Sequence, residues 1–139
     1  MQVQKTNGMT FTSLQGIHYL GNFNPDKPKH AKVVKEVVNS PAINNLGAEY
    51  DFIANLKCSI IGSPLYKTVY ELFLTPVKET TSSEVKNLPS YFNVCYSAYE
   101  NSQRAYEEFM CGLKGLTSKS VENNLNYQIA EQERMQSEI

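Results

Sequence analysis

Side chains able to do acid–base or metal chemistry are few in this chain, which contains two histidines, His18 and His30, and only two aspartates, Asp26 and Asp51. Asp51 falls on the polar face of a predicted strand and Asp26 precedes a predicted helix, so neither has an identifiable partner for acid–base work. His18 lies in a short apolar stretch, where we expect a structural, hydrogen-bonded role. Zinc, calcium, dinucleotide and serine-hydrolase motifs are missing from the sequence. We therefore predict no catalytic residue, no metal site and no cofactor.

One glycine pair has the spacing of a phosphate-binding loop. Gly16 and Gly21 have the required separation, but Asn22 and Phe23 follow where a lysine and a Ser or Thr must contact phosphate and metal. This excludes a nucleotide-binding loop of that kind.

A basic segment is the clearest candidate for binding. Four lysines and a histidine cluster there: Lys27, Lys29, His30, Lys32 and Lys35. The neighbouring lysines disfavour protonation of His30, which we expect on a solvated helix face. Such a segment binds anions weakly or steers an acidic partner. We expect any binding surface to combine it with 77–88, the predicted mobile loop.

Two further side chains are candidate surface groups. Tyr96 falls at the edge of the apolar arc of a predicted helix, where it could contact a partner. Cys58 and Cys95 fall on predicted core faces, whereas Cys111 lies about 160° round the same helix from Cys95 and so on its polar side. We predict that Cys111 is the exposed, reactive thiol.

Charge is distributed unevenly along the chain. Residues 1–70 carry seven lysines against four acids, whereas 71–139 carry six basic residues against ten glutamates, and the net charge is −1. Arginine is nearly missing, so nucleic-acid binding is disfavoured. Three cysteines without a Cys-x-x-Cys spacing favour a reducing compartment, and residues 1–7 lack the apolar stretch typical of a signal peptide. We predict a soluble, cytoplasmic protein without a membrane partner, since no run reaches the ~18 apolar residues of a span.

The elements that must position these residues follow from hydrophobic periodicity. Every second residue is apolar in two runs separated by a Gly-Ser-Pro turn, which predicts a β-hairpin with strands at 49–61 and 65–75. Shorter strands are expected on either side of Gly16. Helical spacing predicts amphipathic helices at 29–39, with Asp26 as its cap, and at 90–113.

The C-terminal helix is expected to begin near residue 118. Its apolar seam has coiled-coil spacing but contains Gln128 and Gln132. We therefore predict one α+β domain over 1–117, with a loose N-terminus at 1–8 and an antiparallel sheet covered by helices. The helix at 118–139 either associates with a partner or lies on the periphery.

Scarce and scattered catalytic groups favour a non-enzymatic protein-interaction or ligand-binding module. Its partner is expected to be another protein or a second copy in a dimer. One alternative is a small enzyme without a recognisable motif, using His18 or His30 with a Tyr or Glu. Another is a weak nucleic-acid or anion binder acting through the lysine-rich N-terminal half.

Overall fold

A four-stranded sheet with strand order β1-β2-β3-β4 forms the centre of the fold. The computed structural model describes residues 14–46, 51–77, 79–81 and 88–137. Its elements in chain order are β1 (Leu14–Gly21), α1 (Pro28–Val38), α2 (Pro41–Asn44), β2 (Asp51–Ile61), β3 (Lys67–Val77), β4 (Phe92–Tyr99), α3 (Ser102–Lys114) and α4 (Ser118–Ser137). The α+β class predicted from the sequence is confirmed.

The predicted hairpin is formed by β2 and β3, which pair in antiparallel register from Asp51 with Val77 to Ile61 with Lys67. Successive strand residues face opposite sides of a sheet, so alternate side chains of both strands enter the core. Those inward side chains include Phe52, Ala54, Leu56, Leu72 and Leu74, all fully buried. The helices cover this face of the sheet.

β1 departs from the predicted antiparallel arrangement because it pairs with β2 in parallel. It is also one continuous strand through Gly16, with a register shift between Leu14 and Gly16, rather than two strands around that glycine. A parallel pair needs a crossover connection, which α1 and α2 supply. The carboxyl ends of β1 and β2 consequently lie side by side. The predicted loose segment 1–8 lies outside the described residues.

The predicted helix at 90–113 is wrong in its first half, because residues 92–99 form β4, antiparallel to β3. Aromatic residues are common in half-buried strands. A bulge in the β3–β4 pairing interrupts the alternation of apolar and polar residues in β4, so their spacing resembles that of a helix. α3 begins after Asn101, whose side-chain oxygen accepts a hydrogen bond from the Arg104 N–H at 2.9 Å. This cap marks the change from strand to helix.

α1 lies within one residue of its predicted extent, but His30, which we expected on a solvated face, is on the buried face of the helix. The buried residues are His30, Val33 and Val37. Asp26 does not cap the helix: the N-cap is Lys27, which makes no side-chain capping bond. The Asp26 N–H instead donates to the Asn24 side chain at 2.9 Å, so the residues before α1 form a tight turn.

α4 packs on the core through its first half. Val121 and Leu125 are buried there, and the Gln132 side chain donates to the Leu88 carbonyl at 3.3 Å. Tyr127 and Met135 are exposed, and an association role for this helix stays a prediction. No helix within the described part of the chain combines the length and apolarity needed to cross a membrane.

Candidate functional site

An open cleft of about 720 Å³ lies at the end of the sheet where β1 and β2 finish. The residues lining it include Lys27, Lys29, His30, Cys58, Tyr70 and Ser102, and none of its lining residues is an Asp or Glu. In sheets with parallel strands, ligands bind outside the carboxyl ends of the strands, next to the helices that follow. The cleft occupies this position and is therefore the candidate site.

A glycine shapes the wall of the cleft where β1 ends. Gly21 has φ 63, a left-handed backbone conformation that favours glycine. The turn brings the Asn22 N–H to the Cys58 carbonyl, at 2.6 Å, so the chain crosses the end of β2. Phe23 is then buried and stacks on the His30 ring at 4.4 Å between centroids. This loop therefore holds the start of α1 against β2.

Three buried polar side chains form the floor of the cleft. The Asn24 N–H donates to His30 Nδ1 at 2.9 Å. Because a backbone N–H can only donate, the proton of the neutral ring is on Nε2, which faces the Tyr70 hydroxyl at 3.2 Å. Tyr70 in turn pairs with Cys58 across β2 and β3, so their side chains lie next to each other on the same face of the sheet. Each ring nitrogen of His30 thus has a partner within the protein.

The ionisation of these groups is set mainly by burial. Burial lowers the pKa of His30 below its ordinary value of 6.5, and the charge of Lys27 acts in the same direction. Burial also raises the pKa of the Cys58 thiol and of the Tyr70 hydroxyl. All three groups are therefore neutral near pH 7, and the sequence-based expectation of a neutral His30 agrees with the direction of this shift. The predicted solvated position of His30 is wrong, because the residue is on the buried face of α1 and its ring points into the core.

The lowered pKa of His30 predicts acid sensitivity. The unfolded chain binds a proton at this residue more readily than the folded protein, so the free energy of unfolding falls as pH drops below about 6.5. Urea unfolding at a series of pH values measures this slope. His30→Gln, which cannot titrate, should flatten the slope below about pH 6.5. An unchanged slope in His30→Gln would contradict the prediction.

Two of the four predicted lysines reach the cleft. Lys27 and Lys29 line it, and the Lys29 amino group donates to the Gln103 side chain and lies 5.5 Å from the centre of the Tyr106 ring. Lys32 and Lys35 are exposed on α1 and do not line the cleft. The predicted basic cluster is thus divided between the cleft and the outer surface of the helix.

The other predicted surface groups lie elsewhere. Tyr96 is 57 % exposed, but it is paired with Glu71 on the sheet face opposite the helices, away from the cleft. Most of loop 77–88 falls outside the described residues. Its first part lies beside Asp51, whose N–H donates to Thr81 at 3.2 Å. Asp51 begins β2 and the cleft lies at its other end, at Cys58 and Ile60, roughly 23 to 30 Å away at strand spacing. The predicted joint surface of this loop and segment 27–35 is therefore not formed by the described part of the loop.

The cysteines occupy three different environments. Cys58 is buried, Cys95 is half-buried and Cys111 is exposed on α3. Cys95 lies on β4 rather than on the helix with Cys111, so the predicted angle between them does not apply. Burial nevertheless raises the pKa of Cys95 to about 11.

We expect a thiol reagent to modify Cys111 first, because it is exposed, while burial raises the pKa of Cys58 and Cys95 and makes both thiols less accessible. Labelling of the native protein at pH 8, followed by peptide mass spectrometry, measures the order. Cys111→Ser should remove the fast phase. Equal rates at all three positions would show that the buried thiols are accessible.

Sequence reasoning missed Tyr70 and Ser102 as cleft residues and assigned Cys58 to the core alone. These residues come from three separate elements, and strand pairing together with the packing of α3 on the sheet brings them together. The one local signal was the loop between a strand and a basic helix at 22–27. No cluster of His, Cys, Asp and Glu able to hold a metal occurs within 14–46, 51–77, 79–81 and 88–137. Comparison with protein-family models, curated proteins and solved structures gives no match for this chain.

Proposed function

We propose that the protein is a non-enzymatic ligand-binding module whose cleft takes a small anionic molecule. The observation that carries the proposal is the charge of the cleft, which is lined by Lys27 and Lys29 and by no carboxylate. The backbone N–H groups of Lys29 and His30 add to this, because they precede the first bond within α1, from the Ala31 N–H to the Lys27 carbonyl, and Lys27 provides no side-chain cap. A carboxylate or phosphate group at this position would meet two ammonium groups and free N–H donors.

The polar floor of the cleft favours binding over the enzymatic alternative. His30 has both ring nitrogens engaged, by Asn24 and Tyr70, and its lowered pKa keeps it neutral. The raised pKa of Cys58 disfavours the thiolate that a nucleophile requires. A general base would need a free lone pair directed at the substrate. We interpret the His30–Tyr70–Cys58 chain as a rigid support for the cleft walls.

A protein partner, including a second copy in a dimer, remains part of the proposal. Tyr127 and Met135 on α4 are 68 % and 61 % exposed and would suit such a contact. The free thiols of the three cysteines agree with a reducing, cytoplasmic setting. Nucleic acid is the less favoured ligand, because Lys32 and Lys35 diverge from the cleft rather than extending it into a basic stripe.

Isothermal titration with inorganic pyrophosphate and with citrate tests the proposal. Both ligands should bind at about 20 mM salt and more weakly at about 0.5 M, where screening is stronger. Lys27→Met combined with Lys29→Met keeps the aliphatic stems and removes both charges. Loss of two charge-assisted contacts should weaken affinity by roughly tenfold or more.

The matched control is Lys32→Met with Lys35→Met, which changes the net charge equally on the same helix outside the cleft. Its affinity should stay within about threefold of the unaltered protein, since only long-range attraction is lost. Equal weakening by the two double variants would indicate attraction to a basic helix rather than a site. Failure of both anions to bind would overturn the proposal.

A further inference from the structure

The tip of the β2–β3 hairpin exposes four large apolar side chains. Ile60, Ile61, Leu65 and Tyr66 are 60 %, 49 %, 67 % and 60 % exposed, respectively. Isolated exposed apolar residues are common in proteins, but a contiguous group on one projecting element marks an interaction surface. We name these four residues the apolar tip.

The apolar tip projects beyond both neighbouring strands. The pairing of β1 with β2 ends at Cys58, and the pairing of β4 with β3 ends at Thr68, so no strand in the described part of the chain flanks the residues between them. Gly62, with φ 104, makes the turn at the end of this ribbon. A Cβ at that position would lie 2.3 Å from the Leu65 carbonyl oxygen, so glycine is required there. The close approach of the Leu65 carbonyl to Gly62 therefore fixes the conformation of the turn that carries the apolar tip.

The exposed side chains lie on both faces of the ribbon. Ile60 and Ile61 are consecutive strand residues and so point to opposite faces. A flat partner surface docked on one face would leave the other face in water. A lipid bilayer, in contrast, surrounds any convex element that enters it.

The charges near the tip suit an anionic membrane surface. Between Phe52 and Tyr70 the chain carries Lys57 and Lys67 and no carboxylate, and Lys67 pairs directly with Ile61. Lys27 and Lys29 lie in the cleft that Ile60 also lines. Each lysine near such a surface is attracted to anionic lipids, and its long side chain can extend to the headgroups. Asp26 and Glu100 lie in loops at the same end of the sheet and oppose this attraction. We therefore expect insertion of the apolar side chains to provide most of the binding energy and the lysines to add to it.

We propose that the apolar tip docks the protein on the surface of an anionic lipid bilayer. Leucine and isoleucine enter the boundary between headgroups and acyl chains, tyrosine lies at the interface, and Lys67 contacts headgroup phosphates. This departs from the sequence-based prediction of no membrane partner, which considered only spanning segments. The proposal is independent of whether the cleft holds a ligand.

The chain has no tryptophan, which allows a direct test of insertion. Leu65→Trp places a single indole at the tip, and Tyr127→Trp places one on α4 at a position of similar exposure, 68 %. With vesicles of phosphatidylcholine containing about 30% phosphatidylserine, the Leu65→Trp emission should shift to shorter wavelength and be quenched by brominated lipids. The Tyr127→Trp emission should not change.

Vesicle flotation of the otherwise unaltered protein measures affinity. Leu65→Ser with Tyr66→Ser should lower partitioning onto the anionic vesicles by roughly tenfold or more, because two inserted apolar side chains are lost. Tyr127→Ser with Met135→Ser is the matched control and should change partitioning less than about twofold. Pyrophosphate titration of the tip variant should remain unchanged, which separates this proposal from that for the cleft. Absence of vesicle binding, or equal loss in both double variants, would overturn the proposal and favour a protein pocket as the site that receives the tip.

Discussion

Phe109→Ala should lower the free energy of unfolding by about 3–5 kcal/mol. Phe109 is fully buried on α3, and its ring stacks on Tyr70 at 5.5 Å between centroids. Truncation removes apolar surface from the core and leaves a cavity under the residue that forms the floor of the cleft. Urea unfolding at pH 7 measures the loss.

Tyr127→Ala is the control, since it removes an aromatic side chain of similar size that is 68 % exposed. Its effect should stay within about 0.5 kcal/mol. The comparison also tests where β4 ends and α3 begins, because the first residue of α3 determines whether Phe109 faces the sheet. If Tyr127→Ala were the more damaging change, the positions of the C-terminal helices on the sheet would be wrong.

Gly21→Ala should destabilise the protein by about 2 kcal/mol or more, because it combines left-handed backbone strain with a steric clash. The backbone has φ 63 at this position, and the added Cβ would lie 2.4 Å from the Cys58 carbonyl oxygen. That oxygen accepts the Asn22 N–H at 2.6 Å, so the clash displaces the wall of the cleft. Anion binding should therefore weaken together with stability.

Gly16→Ala is the matched control within the same strand. Among the described residues, none has an atom within 4 Å of a Cβ added there, so the free energy of unfolding should change by less than about 0.5 kcal/mol. Thermal unfolding and pyrophosphate titration of both variants provide the measurements. Equal, small effects at the two glycines would contradict the turn geometry at the end of β1.

The hairpin could be predicted from the sequence because its two faces differ sharply in polarity. Phe52, Leu56 and Leu72 are buried at alternate positions, and only a strand places such a series on one side. β4 could not be identified in this way. In β4 the polar Ser97 is buried and donates to the Ala105 carbonyl at 2.6 Å, while the aromatic Tyr96 is exposed. The polarity of a residue in this strand therefore does not indicate whether it is buried.

The candidate site was only partly predictable for a related reason. Lys27, Lys29 and His30 are neighbours in the sequence, and their cluster is visible without a structure. Tyr70 and Ser102 join them only through strand pairing and helix packing, which are long-range contacts. The burial of His30 likewise depends on Tyr70, forty positions later, and no local pattern specifies it.

The parallel pairing of β1 with β2 also bears on the order in which the molecule assembles. The β2–β3 ribbon closes a short turn, whereas joining Leu14 to Phe52 closes a loop of roughly forty residues and costs more chain entropy. We therefore expect the ribbon to form early and β1 to dock late, after the main kinetic barrier. The cleft, which needs both strands, is then among the last parts to be completed. An anion bound there should lengthen the lifetime of the native state and leave the rate of folding almost unchanged.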